Sequence, residues 1–295
     1  VVVADVRFGA VRPSPRVEAS SLIKPETRAV IVLNPSLAQK VIYQQVANLN
    51  PKIPTWAVDA TLPYQAAIVF DVDYAMSKMN GTIFVNDQRL GPVIRDQFNK
   101  LEIPEPFTKV LEAKMEQKER GVLTRAALWN LDRDAMSKLR WQWKDIKVDK
   151  ALLPEGNHLL EAVVDNRDGG GLVVLSTVYG MLFGTGVDSF MTSSAQDIAM
   201  AYSSIRIAAD LNDNNELKIH AEIACSPVAD EGIKGYIPKY YELMKKTLQS
   251  ELGRFESTVT CEMKDPVNDV YAVDFTLTNA SELIAGNAIG AFLQM

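Results

Sequence analysis

The side chains best suited to chemistry are few and scattered. The chain has 295 residues but only two histidines, His158 and His220, and two cysteines, Cys225 and Cys261. Histidine is the usual general base and a common metal ligand, and a cysteine thiolate is the strongest side-chain nucleophile. None of the four stands at a catalytic or metal-ligand spacing from another. The run Asp165-Asn166-Arg167-Asp168-Gly169 is the densest alternative. Two carboxylates beside a turn could hold a divalent cation or form the acid and base of a hydrolase, with Asp165 and Asp168 in those roles. Asp, Asn and Gly are also what a tight turn needs for backbone reasons alone, and the turn is the expected reading.

Other motifs fall short of their chemistry. A calcium loop opening at Asp210 needs Gly at 215 and Glu at 221, where the chain has Asn215 and Ala221. Gly184-Thr185-Gly186 lacks the third glycine and the following helix signal of a nucleotide loop. There is no G-x-S-x-G nucleophile elbow. No catalytic, cofactor-binding or metal-ligating residue is assigned on this basis, and no cofactor is expected.

Charge narrows the partners. The net charge is −6, and no run of basic residues forms a stripe, so nucleic-acid binding is not expected. Hydrophobic residues are 47% of the chain and charged ones 23%, the balance of a folded globular protein. Two cysteines do not settle the compartment. Both alternate with apolar residues, so they are expected to be buried and reduced.

The elements that must position these residues are clearest in the last third. Ser204 to Asp210 and Glu216 to Cys225 predict a hairpin around Asn212 to Asn215. A helix follows over Ile237 to Leu252. Val259, Cys261 and Met263 alternate next, then Tyr271, Val273, Phe275 and Leu277. A last helix is expected from Asn279, with Glu282 completing a capping box.

The first half is looser. Residues 1–27 carry Pro13, Pro15 and Pro25 and read as an extended arm. Arg28 to Leu33 predicts a strand, and Asn34-Pro35 a capped helix start running to about Asn48. Gln65 to Val72 and Thr82 to Leu90 predict strands, with Asn80-Gly81 as the turn between them. Phe107 to Arg120 predicts an amphipathic helix, with Gly121 closing it. Leu139, Trp141 and Trp143 alternate as a half-buried strand does, and Asn157 to Asn166 predicts another. A distant internal duplication is compatible with this order, although no residue pattern recurs at a fixed offset.

Gly169 to Val187 is a stretch of nineteen residues without a charge. It is expected to be a pair of buried strands with glycines at the bends, and a membrane-active or partner-facing segment is the competing reading. Gly286 and Gly290 form a G-x-x-x-G pair that allows close helix–helix approach.

The expected fold is α+β: antiparallel sheets, each backed by one or two helices, in two similar-sized halves. The expected division is an arm over 1–27, a domain over 28–168 and a domain over 169–295. A similar hairpin–helix–hairpin texture occurs in bacterial envelope proteins and viral shell proteins, an analogy of architecture that carries no function. The expected function is that of a non-enzymatic structural or assembly protein of a virion shell or cell envelope, acting through self-association or contacts with other subunits. The alternatives are a binder of an apolar ligand or membrane surface, with contact through 169–187, and a carboxylate-dependent hydrolase.

Overall fold

The computed structural model describes residues 19–56, 58, 65–73, 78–85, 114–118, 121–129, 148, 150–175, 200–227, 229, 231–252 and 258–280. The ten strands among these residues are β1 (Thr27–Leu33), β2 (Ala66–Asp73), β3 (Lys78–Val85), β4 (Lys114–Lys118), β5 (Gly121–Trp129), β6 (Leu160–Asp165), β7 (Tyr202–Leu211), β8 (Leu217–Cys225), β9 (Val259–Met263) and β10 (Val270–Leu277). They form one sheet in the order β4-β5-β3-β2-β1-β6-β7-β8-β10-β9. Neighbouring strands are antiparallel throughout. The helices among the described residues include α1 (Gln39–Leu49), the single turn α2 (Glu231–Lys234) and α3 (Tyr236–Leu252). Residues 170–175 are also helical. The molecule is therefore sheet-rich with a few helices, and the separate sheets expected are one. β1 is the reason: it pairs with β2 on one side and with β6 on the other.

The register explains which residues face which side. Ile68, Ile31, Ala162, Ile207, Ala221, Val273 and Met263 lie directly opposite one another in succession across seven strands. Leu33, Leu160, Ala209, Ile219, Phe275 and Cys261 form the next such row. Side chains alternate along a strand, so both rows share a face. α3 covers the outer part of that face, where Tyr241 packs with Ala221, Val273 and Phe275. On the opposite face the row next to Ile31 begins apolar, with Val69, Val30 and Val163, and then becomes charged at Arg206 and Glu222. Thus β1 and β2 are apolar on both sides, and Val30, Val32, Ala67, Val69 and Phe84 form a core cluster under Leu22 and Ile23. β8 and β9 instead alternate between covered and exposed positions.

Several expectations require correction. Lys114–Lys118 is a strand, not part of a helix, because pairing with β5 decides the conformation of this segment. Asn80 and Gly81 lie inside β3, opposite Asp71 and Phe70, so they are not the turn. Asn34 makes no side-chain cap; the chain enters α1 through a 3₁₀ turn at Pro35–Ala38. The glycine-rich run is buried at its start, but as a helix and not as strands: Leu172 and Val173 are 1% and 0% exposed. Asn279 lies in a turn with a positive φ of 52°, not the extended backbone of a capping residue, although the next residue, Ala280, is helical at the expected start of the last helix. Trp141, Trp143, residues 176–187, Gly286 and Gly290 lie outside the described residues.

Candidate functional site

The two candidate carboxylates sit where β6 hands over to the helical residues 170–175. Asp165 ends β6 and is 2% exposed. Its two oxygens are held by Arg167, from Nε at 2.9 Å and Nη2 at 2.6 Å. Arg167 also donates to the Lys150 carbonyl. This arrangement raises the Arg167 pKa, chiefly through the hydrogen bond to Asp165. Asp168 is held by a different cation. Arg28 Nη2 donates to it at 2.7 Å and Nε to both oxygens, at 2.9 and 3.1 Å. Asp168 also accepts from the Gly170 N–H at 3.0 Å, and Asn166 Oδ1 accepts from the Leu172 N–H at 2.7 Å. The helix start is therefore satisfied by side chains, as buried backbone donors require.

The glycines here serve close packing. A Cβ on Gly170 would lie 2.4 Å from Arg28 Cγ, and one on Gly171 would lie 2.9 Å from the Asp165 carbonyl oxygen. Real Cβ atoms do not approach so closely. Only glycine lets β1, β6 and the helix start come together around the Arg28–Asp168 pair.

A buried ion pair with further hydrogen bonds is a structural device, since each charge needs the other once water is removed. Asp165 is hydrogen-bonded to Arg167 and Asp168 to Arg28, so each carboxylate has its own arginine partner. Sequence reasoning missed Arg28, and nothing local marks it, because its partner lies 140 positions away. It also missed Glu161, only 3% exposed, which accepts from the Gly156, Asn157 and His158 N–H groups and ties the preceding loop to β6.

Each histidine is also bound to an aspartate. His158 Nδ1 lies 2.5 Å from Asp210 Oδ2, and its Nε2 lies 3.9 Å from Glu155. The pKa of His158 is raised, first by the hydrogen bond to Asp210. His220 Nδ1 lies 2.6 Å from Asp274, directly across the ladder, and Asp274 also pairs with Lys264 at 2.8 Å. Lys264 and then His220 lower the Asp274 pKa. Cys225 is buried and Cys261 half-buried; both are free, and burial pushes each thiol pKa up, which suppresses nucleophilicity. Among the described residues no group of three His, Cys, Asp or Glu is placed to hold a metal ion.

Among the described residues several large apolar side chains are exposed. Ile31 and Leu33, on the central strand β1, are 36% and 39% exposed on the face that α3 covers farther out. Leu37, Ile53 and Trp56 of the following connection are exposed as well. Among the described residues of α1 none is buried. Among the described residues no helix is long and apolar enough to cross a membrane.

No family model and no curated protein matches the chain. Two solved structures are similar over most of their length: crystal forms I and IV of TP0453. Form I has 8% identity and a TM-score of 0.35, covering 92% of this chain and 97% of that one. Form IV has 7% identity and a TM-score of 0.36, covering 90% and 97%.

Proposed function

We propose that the protein is a non-enzymatic structural or assembly component that acts through subunit contacts. The observation that carries this reading is the exposure of Ile31 and Leu33 on a central strand, where a self-contained fold buries its apolar side chains. The ion-paired state of Asp165 and Asp168 supports it by giving both carboxylates a structural role. A Leu33→Glu variant tests it by sedimentation velocity: the variant folds, and its self-association is weaker than that of the wild type. Unchanged association would remove the central face from the account.

The same reading includes a chain built in two similar halves. Outward from β1 the order is β1-β2-β3-β5-β4, and outward from β6 it is β6-β7-β8-β10-β9. Each half thus repeats one strand order, with the halves meeting at the antiparallel β1–β6 pair. This order supports an internal duplication whose second half begins at β6, so the division it favours falls before Leu160 and ahead of residue 169.

A second reading is supported by the exposed Leu37, Ile53 and Trp56 beside the half-exposed α1. In it these exposed apolar side chains take an apolar ligand or lie on a membrane surface. Flotation with neutral lipid vesicles separates the two: co-flotation that Trp56→Ser abolishes favours the second.

A further inference from the structure

Among the described residues the ten-stranded sheet has two edges, β4 and β9. Edges expose backbone donors and acceptors and invite another strand unless something deters it. The two edges differ in what deters pairing. β4 reads Lys114-Met115-Glu116-Gln117-Lys118, with a charge at every second position. Antiparallel self-pairing centred on Glu116 would set Lys114 against Lys118 of the other copy. β9 reads Val259-Thr260-Cys261-Glu262-Met263 and carries one charge.

The phase of the β9–β10 ladder fixes which groups point outward. Lys264 N–H donates to the Ala272 carbonyl and Thr278 N–H to the Thr258 carbonyl. With the register Asp274↔Glu262 and Thr276↔Thr260, residues 258, 260, 262 and 264 bond inward to β10. The N–H and C=O groups of Val259, Cys261 and Met263 therefore point to the open edge, where no strand pairs with them among the described residues. Their side chains pack with the apolar cluster beneath α3.

We propose that the outer edge of β9 docks a second copy of this chain, β9 pairing antiparallel with β9 about Cys261. The proposal rests on the assembly reading above and specifies one contact for it. In this register Val259 opposes Met263 of the other copy, so the apolar layer under α3 continues across the junction. Glu262 opposes Thr260, and Lys264 opposes Thr258. No like charges meet, and the outward backbone groups of both edges satisfy one another.

The register can be tested with charge at one exposed position. Thr260 faces away from α3 and is exposed. Thr260→Glu places two carboxylates opposite each other twice across the dyad; Thr260→Lys places a lysine opposite Glu262 twice. Cross-strand charge pairs have modest energies, so in sedimentation equilibrium of the full chain the first variant should raise the dimer Kd about threefold to tenfold and the second lower it by a similar factor. Unchanged thermal melting shows that both are folded. As a second measurement, a short bis-maleimide should join Cys261 of two copies in a Cys225→Ser background. A wild type that self-associates with no response to either substitution and no Cys261 cross-link would overturn the β9 contact and leave the assembly reading standing. A wild type that remains monomeric would overturn both.

Discussion

Arg28 and Asp168, 140 positions apart in the chain, form a buried bidentate ion pair that pins the first strand of the sheet to the helix start after β6. Their side chains are 6% and 11% exposed. Removing one partner leaves the other charge buried. Asp168→Ala should therefore cost about 3–5 kcal/mol of stability, measured by urea denaturation. A loss below about 1 kcal/mol, the range of a surface pair, would show that the pair does not hold these elements together.

Gly170→Ala should act on the same pair. The new Cβ would overlap Arg28 Cγ and Cδ, at 2.4 and 2.6 Å, and displace the guanidinium from Asp168. In a double-mutant cycle with Arg28→Ala the two losses should be clearly less than additive, because either change breaks the same contact. Additive losses would separate the glycine from the ion pair.

Tyr202 gives an opposite expectation. It is fully buried, and its hydroxyl has no hydrogen-bond partner among the described residues. Burial, reinforced by the Asp165 charge, pushes its pKa far above the ordinary phenol range. An unpaired buried hydroxyl carries a desolvation cost of roughly 1–3 kcal/mol. Tyr202→Phe should leave stability unchanged or raise it, where most buried substitutions lower it. A clear fall in melting temperature would refute this.

Stability should depend on pH through His158. Its folded pKa is raised above the ordinary value, first by Asp210. A raised pKa means that the protonated form is favoured by folding, so the contribution is full below the unfolded pKa of about 6.5 and is lost as pH rises through the folded value. Denaturation midpoints of the wild type should fall across that window, and Asp210→Asn should flatten this part of the profile. A variant with the wild-type slope would remove His158 as the source.

How far these elements can be read without coordinates depends on where their stabilisation comes from. The β7–β8–α3–β9–β10 unit is legible because one face is covered and the other wet, which imposes strict alternation such as Lys218, His220 and Glu222 against Ile219 and Ala221. β4 is not legible: Met115 belongs to an apparent helical stripe, and only pairing with β5 makes its segment a strand. Gly81 reads as a turn residue but lies opposite Phe70 inside the sheet. Gly170 and Gly171 read as a boundary, whereas their small size serves contacts with Arg28 and Asp165. The Asp165–Asp168 turn was expected. The arginines that hold its carboxylates come from long-range packing at Arg28 and from local folding at Arg167, and neither leaves a periodic signal.

The central claim is that this protein works by contacts between subunits. The most direct measurement is the molar mass of the purified full chain in solution by light scattering across a wide concentration range, without lipid or added ligand. The account predicts a mass that rises with concentration from the 32.6 kDa monomer toward the dimer and beyond. A mass that stays at the monomer value over the whole range would contradict it.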